Sequence, residues 1–237
     1  MKKRIWELDA LRGICILGMV VVHLLYDMVE LYRLVDWRYP PAFLFIRDWG
    51  GVLFLLISGI SVTLGSRSVR RGLIVFACGL LCTAVTAGTV ALGFAGKGMI
   101  IWFGVLHCLG VCMLSWPLFR RLHPAILALL GVAMVSLGFY LDANVRVSFP
   151  WLVPFGVLCP GFVSADYFPL FPNLGFFLLG AVLGKTLYRR KESLLPGANL
   201  TNPVLAFLQS CGKHSLWIYL LHQPLLTGLF SLISLFK

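Results

Sequence analysis

Seven apolar runs of about membrane-crossing length, separated by short basic loops, constrain this chain more than anything else in it. Crossing a bilayer takes roughly twenty predominantly apolar residues. Runs of that kind fall at about 13–32, 43–64, 72–94, 99–118, 124–141, 173–188 and 214–236. With 59% apolar and 12% charged residues and a mean hydropathy of +0.92, the 237 residues read as an all-α polytopic membrane protein, one transmembrane domain over 1–237. The net charge of +11 does not point to nucleic acid, because the basic residues sit in loops between apolar runs and no soluble basic face is available.

Those loops also orient the chain. "GSRSVRRG", "FRRLHP" and "YRRKE" are the strongest basic stretches, and the positive-inside rule places them in the cytoplasm with the N-terminus. Of the 20 lysines and arginines, only Arg33, Arg38, Arg47, Lys97, Arg146 and Lys237 then fall outside. The start "MKKRIWELDALRG" is basic like a signal peptide. Glu7, Asp9 and Arg12 interrupt it and no small-residue cleavage site follows, so it reads as a retained first span. The stretch "FPWLVPFGVLCPGFVSADYFPLFPN" is apolar but broken by Pro150, Pro154, Pro160, Pro169 and Pro172. A full crossing there would put "YRRKE" on the wrong side, so it is expected to re-enter or lie at the interface, where protein or water satisfies its backbone. The sequon Asn199-Leu200-Thr201 falls on the inner side and is not expected to be glycosylated.

The first span carries side chains that hydrocarbon penalises. At 100° per residue, His23 lies within about 20° of Arg12 and roughly 16 Å further along the helix. Asp27 follows one turn later, and Glu30 closes the stripe. Intramembrane ionisable groups face bundle interiors or wet cavities and mark function by default, although a His–Asp pair also serves to hold helices together. His23 suits a general base, with Asp27 at i+4 placed to orient it. Arg12, near the cytoplasmic mouth, suits a phosphate or carboxylate. Asp48 in the second span either faces the same cavity or pairs with Arg47 or Arg38. In the last span, Ser215, Tyr219 and His222 share one face, where His222 is a second acid/base, a substrate ligand or a helix contact. Asp166 and Tyr167 either bind a polar acceptor or, for Asp166, cap the following helix. The Cys78/Cys82 and Cys108/Cys112 pairs, the second beside His107, have ligand-like spacing, but cysteine is also a small apolar residue of membrane helices, and no metal is expected.

"LDALRGICILGMVVVH", with ten residues between Arg12 and His23, resembles the Arg-x10-His signature of the membrane acyltransferase type-three superfamily. "LFLLISGISVTLG", "FGVLHCLGVCM", "SADYFPLFPNLGFFLLG" and "GKHSLWIYLLHQPLL" resemble the bacterial branch of the heparan-alpha-glucosaminide N-acetyltransferase catalytic-domain family, over nearly the whole chain. The resemblance implies transfer of an acyl group, usually acetyl, from cytoplasmic acyl-CoA as co-substrate to a glycan-like acceptor, in the bacterial cytoplasmic membrane. It implies that Arg12 and His23 are required. In the lysosomal branch the position of His23 looks like an asparagine, and a catalytic histidine precedes the second span. Here "YRLVDWRYPP" has none, so His23 rests on its own stripe. Asp48 matches an aspartate of that branch. The expected site is thus His23, Asp27, Arg12 and Asp48 for chemistry, Arg12, Arg67, Arg70 and Arg71 for the CoA phosphates, and Asp166, Tyr167, Tyr219 and His222 for the acceptor. Expected partners are acyl-CoA, membrane lipids and a carbohydrate-like acceptor, and a homo-oligomer is compatible with the sequence. The competing readings are a proton-coupled transporter that uses the His23/Asp27 stripe as a relay and a scaffolding membrane protein.

Overall fold

A computed structural model describes residues 4–197 and 202–234, so Lys2, Lys3, Lys237 and the Asn199 sequon lie outside the described residues. The described chain is helical, with α1 at Trp6–Tyr26, α2 at Pro41–Leu64, α3 at Ser68–Ala91, α4 at Val105–Phe119, α5 at Pro124–Asn144, α6 at Leu170–Thr186, α7 at Pro203–Lys213 and α8 at Ser215–Ser234. Five helical segments are long and apolar enough to span a bilayer: α1 with its π-helical extension (Trp6–Leu31), α2, α3, α5 and α8. Two of the seven expected spans, α4 and α6, are short for a bilayer. The 15 residues of α4 and 17 of α6 rise only about 22 and 26 Å, against a hydrocarbon core of about 30 Å. Helix α4 starts late, because Lys97–Met99 form a 3₁₀ turn and the chain is non-helical from Ile100 to Gly104, whereas α6 starts early, at Leu170, and carries non-helical geometry at Phe171.

Two compact units divide the chain: Met1–Phe54 with Glu192–Lys237, and Leu55–Lys191. In the second unit, glycines set the helix directions. A Cβ on Gly138 would meet the backbone of Pro172, and one on Gly131 would meet Leu179 and Gly175, so α5 and α6 run antiparallel. Gly59 lies against Phe177 and Ala181, Gly180 against Leu56 and Gly184 against Ile60, so the second half of α2 runs parallel to α6. Small residues let backbones approach this closely, the usual basis of helix association in lipid.

These directions decide the proline-broken segment. Because α5 and α6 are antiparallel neighbours, residues 145–169 leave and return at the same end of that pair. The segment forms a 3₁₀ turn at Pro150–Phe155, closed by Gly156 at φ +99°, where a side chain would strain the backbone and crowd the Phe171 carbonyl. Single parallel bridges tie Arg146 to Leu158 and Phe103 to Tyr167. No continuous helix runs through this segment, and its two ends lie at the same end of the α5–α6 pair.

In the first unit, α1 meets both C-terminal helices. A Cβ on Gly13 would overlap the Leu208 carbonyl, and one on Gly212 would overlap that of Asp9, so α7 packs backbone to backbone on the first turns of α1. Helix α7 was not expected from the apolar pattern. Its start is nonetheless written in the chain: Asn202 Oδ1 accepts from Val204 N at 2.9 Å and Leu205 N at 3.3 Å, with Pro203 in the first turn. Helix α8 runs parallel to α1, since His23 meets His222, Asp27 meets Gln223, and Tyr32 meets Thr227 and Ser231.

Candidate active site

The polar stripe of α1 ends where the helix changes its winding. From Asp27 to Leu31 the backbone is π-helical, with Tyr32 N bonded to the Asp27 carbonyl at 2.8 Å. Such wide turns recur at functional sites. Asp27 is 1% exposed, the most deeply buried charged residue described, whereas Glu30 is exposed and does not close the stripe. The 100° rule that placed Glu30 there fails once the turn widens.

Both Asp27 oxygens accept from a single amide, Gln223 Nε2, at 3.1 and 3.0 Å. Asp27 was expected to hold His23 directly. Among the described residues it does not. Its partner is Gln223, whose own Oε1 is buried with no hydrogen-bond partner among the described residues. A buried carboxylate with a neutral amide as its hydrogen-bonding partner is costly, so its position beside two histidines is the electrostatic centre of this unit. The second histidine is His222, whose ring meets that of His23 edge-on, centroids 4.9 Å apart at 82°. His222 is 9% exposed, and its Nδ1 donates to the Tyr219 carbonyl at 2.6 Å. A carbonyl only accepts, so the neutral ring carries its proton on Nδ1. The Nε2 lone pair is buried and has no hydrogen-bond partner. Further along, Tyr32 packs on Phe230, and its hydroxyl reaches the Thr227 carbonyl and Ser231 Oγ.

Other expected site residues lie elsewhere. Arg12, partly buried, donates to Asp9 at 3.1 Å, and Arg4 approaches the same carboxylate at 3.9 Å. Asp48 pairs with Arg47 at 2.8 Å with both side chains about half exposed, the interfacial alternative rather than the cavity one. Arg67, Arg70 and Arg71 are exposed at the start of α3, in the second unit. Asp166 Oδ2 accepts from Val105 N at 2.9 Å, so it caps α4, the helix before it in sequence, and not α6 after it. Tyr167 donates its hydroxyl to the Val153 carbonyl at 2.7 Å. His107, beside the cysteine pair, is fully committed. Its Nδ1 accepts from Gly104 N at 3.2 Å, and Nε2 meets Thr83 Oγ1, whose own proton goes to the Ile101 carbonyl. No group of three or more His, Cys, Asp or Glu among the described residues is arranged to hold a metal ion.

Two polar residues, half-buried Gln223 and buried Glu7, escaped sequence reasoning. Gln223 was detectable as the lone amide in an apolar helix, adjacent to His222 and before Pro224. Glu7, which looked like an interruption of a signal peptide, accepts from Ser193 Oγ at 2.9 Å and Leu194 N at 2.8 Å and so anchors the start of α1.

The family described as "heparan-alpha-glucosaminide N-acetyltransferase, catalytic" matches residues 4–224. The chain belongs to this family. The match runs from the first described residue to the proline after Gln223, and it includes His23, Asp27, His222 and Gln223. Among curated proteins and among solved structures, none matches the chain. For a member of an N-acetyltransferase catalytic family, the apolar helices make the setting of that catalysis a membrane.

Proposed function

We propose that this protein transfers an acetyl or related acyl group from cytoplasmic acyl-CoA to an amino or hydroxyl group of a carbohydrate-like acceptor, at or across the bacterial cytoplasmic membrane. The observation that carries the reading is the coincidence of the family match over 4–224 with a polar cluster inside it, buried Asp27 and His222 beside half-buried His23 and Gln223. The whole of 1–237 acts as one transmembrane domain with the N-terminus cytoplasmic, as its basic loops favour.

Acyl transfer needs a base where the acceptor attacks and a cation where the donor's phosphates rest. Arg12 supplies the cation, exchanging some of its contact with Asp9 for phosphate oxygens. Roughly 16 Å of helix separates Arg12 from His23, a span that suits the pantetheine arm of CoA. His23 takes the acceptor's proton as its oxygen or nitrogen bonds to the thioester carbon. The C–S bond then breaks, and the proton passes to the CoA sulfur. Asp27 compensates the imidazolium charge through the cluster, the logic of a base with an acidic partner. Tyr219 is assigned to the acceptor with His222 beside it, and Asp48, Asp166 and Tyr167 would first have to give up Arg47, Val105 and Val153 respectively.

The deciding experiment uses detergent-purified protein, [acetyl-¹⁴C]CoA and glucosamine. Saturable binding is expected in wild type and in His23→Ala, with CoA release lowered in the variant by about 10²–10⁴, the range for a positioned general base. Well-folded wild-type protein that binds no acetyl-CoA would sink the reading and favour proton-coupled transport.

A further inference from the structure

We propose that His222 is the proton store of the transfer: it takes from His23, through Nε2, the proton that His23 has removed from the acceptor. This deepens the acyltransferase reading and rests on it. Three observations carry it. The Nδ1 proton of His222 is committed to the Tyr219 carbonyl, so the free lone pair is on Nε2. That nitrogen is buried and has no hydrogen-bond partner, in a protein where the other buried histidine, His107, has a partner at both ring nitrogens. An unpartnered buried acceptor costs roughly 1–3 kcal/mol, so an unspent one inside a polar cluster calls for an explanation. Third, the nearest ring is His23, edge-on at 4.9 Å, and Asp27 interacts electrostatically with His222.

Burial decides the direction of flow. Because solvent does not reach Nε2, its proton comes from inside the cluster, and His23 is only half-buried and so open to substrate. Two adjacent imidazoles resist being charged together, which means the pair carries one transferable proton at a time. The receptive state has both rings neutral and Asp27 ionised. As the acceptor's oxygen or nitrogen bonds to the acyl carbon, its proton passes to His23 and on to His222, leaving an imidazolium offset by the Asp27 carboxylate. When the C–S bond has broken, the proton returns by the same path to the CoA sulfur, and both rings end neutral. His222 thus acts through His23 and does not touch substrate.

The groups facing His222 are His23 and Asp27 from α1 and Tyr219 from its own helix. Replacing His222 with Asn keeps a donor for the Tyr219 carbonyl and deletes the store. Full-length wild type, His222→Asn and His222→Ala are assayed for [acetyl-¹⁴C]CoA binding and for CoA release with glucosamine across pH. The proposal expects acetyl-CoA binding within about twofold of wild type, release lowered at least tenfold, a loss that shrinks at high pH as hydroxide takes the proton, and partial rescue of His222→Ala by added imidazole. Near-wild-type release by His222→Asn with an unchanged pH profile would overturn it. So would loss of acetyl-CoA binding in both variants, which would make His222 a structural contact. A wild-type protein that neither binds acetyl-CoA nor releases CoA is a different result, and it removes the acyltransferase reading itself.

Discussion

At the scale of single residues, the cluster is ordered by an amide. Gln223 Nε2 is the hydrogen-bond donor to a carboxylate that is 1% exposed. Gln223→Leu should therefore leave Asp27 unpartnered and cost about 1–3 kcal/mol, whereas Asp27→Leu combined with Gln223→Leu should recover most of that loss, because removing both partners strands neither. Thermal unfolding in detergent of the two single variants and the double measures it, and simple additivity would rule the pairing out. This scale was half legible in the sequence. Arg12, His23 and Asp27 stood out because charges are rare in apolar runs, and the 3.6-residue period placed them on one face. Their partners were legible only in part. Asp9 stands three residues before Arg12 on the same helix, a spacing that brings the two together, whereas Gln223 under Asp27 depends on which helix packs alongside and in what register.

Elements tell a similar story. Five of the seven apolar runs became helices long enough to span, because hydropathy and length report the same physical requirement. The two that fell short, α4 and α6, are bounded by contacts between distant segments. Asp166 reaches back sixty-one positions to bond Val105 N, and no local pattern encodes that. Asp166→Ala should cost about 0.5–2 kcal/mol through loss of the cap, read as a lower unfolding temperature with acetyl-CoA affinity unchanged. An unchanged unfolding temperature alongside a raised acceptor KM would restore Asp166 to the acceptor site. Helix α7 was missed for a different reason. Eleven residues are too few for a hydropathy window, and its Asn202–Pro203 start signal was available but unread.

For the molecule as a whole, the basic loops predict a sidedness, and within the second unit α5 and α6 run antiparallel and α2 and α6 parallel. A segment that returns at the end where it left keeps α2 and α6 parallel, as observed, while a full crossing would reverse α6. With native cysteines replaced by alanine, Ser148→Cys and Val163→Cys should react with a membrane-impermeant maleimide from the same side of sealed cells, and Arg190→Cys only after permeabilisation. Opposite labelling of the first two would show that the segment crosses. The wide turn at Asp27–Leu31 bears on how relatives of this chain are compared. It fits one more residue into the same rise than ordinary winding would, so the chain before Asp27 and the chain after Tyr32 keep separate registers. A relative with a plain helix there would present the same two surfaces with one residue fewer. In an alignment, a single-residue gap at that point would record a change of winding, not the loss of a side chain.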